Sequence, residues 1–135
     1  MPKLNPLGIA VASIAFYFVG FLWYGLIFSD AWMAAEGVTQ EAADAESPAW
    51  MALGAVITVM QVVGLAIVLK WKGAIGAADA VKAAALLWAL FALPFTLYGF
   101  AYTPGHDATL LMLDASHLLV GWIVAAVTLS LFRQK

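Results

Sequence analysis

Four long apolar stretches alternate with short polar ones, and this pattern governs everything else in the chain. Each stretch runs for about 20 residues, the length that crosses roughly 30 Å of hydrocarbon at 1.5 Å per residue. The pattern predicts helices at 6–28, 49–69, 81–102 and 110–132, with an outer loop at 29–48. Start signals fall where such helices need them. Asn5-Pro6 and Ser47-Pro48 each place a capping side chain before a first-turn proline, and Asp79 and Asp107 are candidate caps for the third and fourth helices. The expected fold class is therefore all-α, an integral membrane bundle of four transmembrane helices forming a single membrane domain over residues 1–135.

Composition sharpens this into a choice of solvent. The chain is 65% hydrophobic and 10% charged, with a mean hydropathy of +0.97, so most of its surface must face lipid. The first apolar stretch is too long for a signal-peptide core and is expected to persist as a helix. Cysteine is absent, which removes disulfides, thiolate nucleophiles and thiolate metal sites together. No basic tract suggests nucleic acid.

The placement of charge predicts orientation. Lys3, Lys70, Lys72, Lys82, Arg133 and Lys135 lie at the two termini or in or beside the second loop. Asp30, Glu36, Glu41, Asp44, Glu46 and Asp107 fall in the first and third loops, which contain no Lys or Arg. By the positive-inside rule both termini are cytoplasmic, and the expected location is a bacterial cytoplasmic (inner) membrane. In the outer loop, Trp32 and Met33 suggest a short helix at the membrane interface. The other connections are brief, so successive helices should be antiparallel neighbours. A weak internal echo links Trp23-Tyr24-Gly25 on the first helix with Leu97-Tyr98-Gly99 on the third.

Helices that pack within lipid are marked by small and polar residues, because apolar side chains gain little by leaving lipid. Stripes of this kind recur at helical spacing. They are Ser13, Tyr17, Gly20 and Tyr24 on the first helix, and Gly54, Thr58 and Gln61 on the second. The third carries Ala85, Trp88, Ala92 and Gly99, and the fourth Asp114, His117, Gly121, Ala125 and Thr128. Asp114 and His117, three residues apart, share one face. An ionisable side chain near the bilayer centre costs on the order of 3 kcal/mol, so such residues face the protein interior and often mark a ligand site or pathway. The alternative for this pair is a structural Asp–His hydrogen bond that fixes helix packing.

Counting inward from the outer helix ends places Tyr24 and Tyr98 near the level of Asp114, and Thr96, Thr58 and Gln61 near that of His117. Together they outline an outward-facing polar pocket. Pro94 frees the Leu90 carbonyl and favours a bend just below this level. His106 and Asp107 add ligand types suited to a transition metal, but their spacing matches no metal motif, so no metal and no cofactor is expected.

The stretch Gly20-Phe21-Leu22-Trp23-Tyr24-Gly25-Leu26-Ile27-Phe28, followed by Ala31-Trp32-Met33, resembles the signature of a family of small bacterial membrane proteins, domain of unknown function 1761 (DUF1761). His117-Leu118-Leu119 on the last helix is similar to the family's His followed by apolar residues. The resemblance implies a four-helix layout from end to end and supplies no activity. The chain departs from the family pattern at Leu26, often Pro, at Ser29-Asp30, where Gly and a basic residue are common, and at Asp114, frequently Asn. No role for a helix-breaking proline or a cation at the end of the first helix is therefore expected.

Three functions fit these residues. The first is binding or transport of a proton, cation or small amphiphile at Asp114 and His117, which a His can link to protonation near neutral pH. Four short helices seldom enclose a complete path, so this reading expects a homo-oligomer. The second is a structural or accessory subunit that holds a partner protein in the membrane. The third, a membrane enzyme with His117 as general base, lacks an identified nucleophile and ranks last.

Overall fold

A computed structural model describes residues 4–132. Lys3, Arg133 and Lys135, used above for orientation, lie outside the described residues. The described residues form six helices: α1 (Pro6–Ile27), α4 (Ala49–Lys72), α5 (Gly76–Tyr102) and α6 (Ala108–Leu131), all long and apolar enough to cross a membrane, and the short α2 (Ser29–Glu36) and α3 (Gln40–Asp44) between α1 and α4. There is no strand among the described residues.

Local chemistry sets the helix ends. The Asn5 side chain accepts from the Leu7 and Gly8 amides ahead of α1, with Pro6 in the first turn where its missing N–H costs nothing. Asp107 accepts from Leu110 N at 3.1 Å and starts α6. At the end of α4, Gly73 takes φ +67, and the Ala74 and Gly73 amides bond back to the Leu69 and Lys70 carbonyls. That pattern closes a helix and favours glycine, since a Cβ in the left-handed region is strained.

Two boundaries differ from the sequence reading. The helix α4 runs on to Lys72 and α5 begins at Gly76, because the helical backbone continues past the apolar run while Lys70, Lys72 and Lys82 carry charge on long stems. Asp79 consequently does not cap α5 from outside. It sits in the first turn and reaches back to accept from Ile75 N at 2.9 Å.

The bundle is built around α6, which packs against α1, α4, α5 and α2. Its contact faces are small. Ala125 meets Ala12, Phe16, Val62 and Leu65 in one cluster, and Ala126 meets Ala80 and Ala84 in another. Small residues let helices approach closely, and in lipid this packing substitutes for the hydrophobic force. Gly121 shows the tightness: a Cβ there would overlap the Phe16 ring. Many large apolar side chains point outward, Phe95 at 70% exposure among them, while Phe16, at 2%, is a large exception inside. That inversion of a soluble core defines an integral membrane bundle.

The Asn5 side chain donates to the Phe132 carbonyl at 2.6 Å. Leu4, Lys70, Ala74 and Phe132 line one cavity at the same end of the bundle. The first and last described residues and the α4–α5 turn thus share one end, and α2, α3 and the α5–α6 turn occupy the other.

Two stretches depart from regular α geometry. Phe21–Ile27 of α1 and Trp88–Ala92 of α5 are wound as π-helix. In α5 the Leu93 amide bonds to the Trp88 carbonyl, five residues back, immediately before Pro94. The disturbance expected from the missing Pro94 N–H therefore takes the form of a widened turn.

Candidate functional site

The π-wound end of α1 carries the residues that define the site. Successive side chains on an α-helix diverge by about 100°, so Trp23 and Tyr24 would face different neighbours. In this wider turn both reach α6. The Trp23 indole donates to Ser116 Oγ at 2.9 Å, and the Tyr24 hydroxyl donates to Asp114 Oδ1 at 2.5 Å. π-bulges of this sort concentrate at functional positions.

His117 lies one turn further along α6, beneath Tyr24. The two rings meet edge to face with centroids 5.0 Å apart, and Phe16 closes the other side at 5.6 Å. Gly20 supplies the room: a Cβ at that position would stand 3.2 Å from His117 Nε2. This nitrogen is buried and has no hydrogen-bond partner among the described residues. Leaving a buried polar group unpaired costs about 1–3 kcal/mol, so an orphan of this kind needs an explanation. The direct Asp114–His117 bond that would make the pair structural is not formed; Asp114 is taken by Tyr24.

Two clefts flank the cluster. An outer one, of about 470 Å³, is lined by Glu36, Thr96, Thr103, Gly105, Asp107 and Asp114. An inner one, of about 410 Å³, lies between α1 and α4 and is lined by Tyr24, Gly54, Thr58, Gln61 and His117 among others. The Tyr24–Asp114 bond stands between the two.

The residues proposed from sequence are thus divided. Tyr24, Asp114 and His117 come together directly. Thr58 and Gln61 share the inner cleft with His117, although each also has local partners. The Thr58 hydroxyl bonds to the Gly54 carbonyl at 2.9 Å, and Gln61 Oε1 accepts from the Trp122 indole at 2.8 Å. Thr96 lines the outer cleft with Asp114 and bonds to the Ala92 carbonyl at 2.7 Å. Tyr98 does not join them. It is 60% exposed and stacks between Phe95 and Tyr102 on the outside of α5, so the Tyr24/Tyr98 echo has no structural counterpart. Gly99 is exposed but lines the outer cleft with Thr96 and Asp114.

His106 bonds through Nδ1 to the Phe100 carbonyl at 2.7 Å, and Asp107 caps α6. Among the described residues, no group of three or more His, Asp or Glu side chains is close enough to hold a metal ion.

The sequence reading placed Trp88 on an inward stripe but assigned no hydrogen bond to any indole, and it left Trp23 and Trp122 off the stripes. Trp23 to Ser116, Trp88 to the Ala115 carbonyl at 2.8 Å and Trp122 to Gln61 tie α1, α5 and α4 in turn to α6 around the site. A buried indole N–H requires an acceptor, and a Trp placed on an inward stripe was the available signal.

These features define an integral membrane helical bundle with a Tyr–Asp–His cluster set between two clefts. The chain belongs to the family described as Protein of unknown function (DUF1761), whose model matches residues 7–130. Neither the curated proteins nor the solved structures contain a significant match to it.

Proposed function

We propose that this protein binds a proton, cation or small amphiphile at the cluster formed by Asp114, Tyr24 and His117, reached from the outer face of a bacterial cytoplasmic membrane. One observation carries the reading. A carboxylate held by a tyrosine hydroxyl stands beside a histidine whose buried nitrogen has no partner, and clefts open on both sides. Intramembrane ionisable groups are expensive and usually functional. The orientation is N-in and C-in: Lys70 and Lys72 lie at the end shared by Asn5 and Phe132, while Glu36 and Asp107 line the opposite, outer cleft. A homo-oligomer completes any path across the bilayer.

The aromatic column Phe95, Tyr98 and Tyr102 on the exposed flank of α5 supports a second reading, an accessory subunit that presents this face to a membrane partner. Native mass spectrometry separates the two. If a small molecule accompanies the wild type and is lost from folded Asp114→Asn and His117→Ala variants, the ligand site stands. A change in assembly alone, with no bound mass in any form, makes the cluster structural and favours the accessory role.

A further inference from the structure

The inner cleft is not isolated from the lipid. It shares Tyr17, Phe21 and Thr58 with a second groove of about 790 Å³ that runs down the α1–α4 seam past Ser13 and Ala55. The groove is apolar apart from its hydroxyls, and neither cavity is lined by a Lys, Arg, Asp or Glu. A charged headgroup therefore finds no counter-ion there. At the head end, Phe16, Tyr17, Phe21, Tyr24 and His117 present five rings.

Two buried polar atoms without partners mark this seam. One is His117 Nε2; the other is Ser13 Oγ, on a residue only 7% exposed. Ser13 and Gly20, which backs His117, are seven residues apart on one face of α1, about 10 Å along the axis. Nearby donors are only partly used. The amide nitrogen of Gln61 has two hydrogens and is bonded once, at 3.3 Å to the Ile57 carbonyl. Unspent donors call for a ligand that accepts.

We propose that the α1–α4 seam binds a neutral lipid with a flat carbonyl-bearing ring and an apolar tail, the chemistry of a prenylated quinone. The ring lies among the aromatic side chains at His117, and the tail follows the groove past Ser13 toward the bilayer. This assignment rests on the proposed ligand site and names the class of its occupant. The cavity volumes fall in the range of roughly 300–1,000 Å³ usual for small-molecule sites; this occupant enters laterally along the α1–α4 seam, leaving the outer cleft as the route for a proton or cation. His117 Nε2 and the Ser13 hydroxyl are covered, so binding includes a small rotation of each side chain.

Decylubiquinone is the probe, with decylbenzene as a tail-only control, and the readout is mass retained per folded chain in native mass spectrometry. The expected result is one decylubiquinone per chain and no retained decylbenzene. Ser13→Ala and His117→Phe should each weaken retention about three- to tenfold, the equivalent of one lost hydrogen bond. Gly54→Leu should abolish it by filling the inner cleft. A Cβ at Gly54 meets nothing closer than Tyr17 at 3.9 Å, so this variant adds no clash at its Cβ. Glu41→Gln, in the outer loop, should bind as the wild type does.

Equal retention by every variant, equal retention of decylbenzene, or a resident phospholipid that decylubiquinone does not displace would overturn the assignment. If decylubiquinone is not retained but another mass is lost from Asp114→Asn and His117→Ala, the quinone class fails and the ligand site survives. Absence of any bound mass removes both.

Discussion

The bond between Tyr24 and Asp114 makes the sharpest claim about this protein's interior, and a double-mutant cycle can measure it. Tyr24→Phe removes the hydroxyl while keeping the ring against His117 and against Trp32, whose centroids lie 5.0 and 5.9 Å away. Packing is therefore conserved, and the loss is that of a 2.5 Å hydrogen bond to a half-buried carboxyl group. Hydrogen bonds to charged groups contribute about 1.5–3 kcal/mol in water-soluble proteins, whereas polar pairs between membrane helices average roughly 0.6 kcal/mol and reach about 1.7. A coupling of about 1–2 kcal/mol follows for Tyr24→Phe combined with Asp114→Ala, because no other hydrogen bond from Tyr24 competes with this one. The assay is reversible unfolding in mixed detergent micelles, read by circular dichroism, on the wild type, both single variants and the double variant. Additive losses, with coupling below about 0.3 kcal/mol, would refute the bond and with it the cluster built on it.

The remaining predictions concern packing. Gly121→Val places a branched side chain against the Phe16 ring where α1 packs on α6 and should cost about 1–3 kcal/mol, seen as a lower unfolding midpoint in the same micelle assay. Trp88→Phe removes the donor to the Ala115 carbonyl and should cost about 1 kcal/mol, with Phe91→Leu on the exposed side of the same turn changing little.

Much of this fold was legible because lipid imposes simple rules. Length and hydropathy are enough to mark four spanning helices, since every backbone N–H and C=O must be satisfied inside its own segment. Asn5, Ser47 and Asp107 act locally, so their roles could be read from a few residues. The stripe rule found Ser13, Thr58, Gly121 and Ala125, all buried, because small residues sit where helices touch. It overlooked Phe16, a large side chain accommodated by Gly121 on another helix, since complementarity across helices leaves no periodic trace in either one. Tyr98 failed for a related reason. Depth along a helix can be counted from its end, but which way a residue faces depends on winding, and the π turn at Trp88–Ala92 rotates everything beyond it.

The same reasoning makes the winding of α1 a cause of the site, and a deletion can test that. In π geometry each carbonyl pairs five residues ahead, as the Trp23 carbonyl does with the Phe28 amide at 2.9 Å. Removing one residue from the run returns it to the four-residue spacing of an α-helix. Leu26 is 60% exposed, so its loss removes little protein packing, and the shortened helix of about 21 residues still spans the hydrocarbon. In the regular helix Trp23 and Tyr24 again diverge by about 100°, which changes the aim of one side chain relative to the other at α6. Deletion of Leu26 should therefore leave a folded, membrane-inserted protein in which either the Trp23–Ser116 or the Tyr24–Asp114 coupling falls to near zero. The measurement is the double-mutant cycle for each pair repeated in the deletion background. Two couplings that survive unchanged would mean that the π winding is incidental, and that the side chains find α6 by another route.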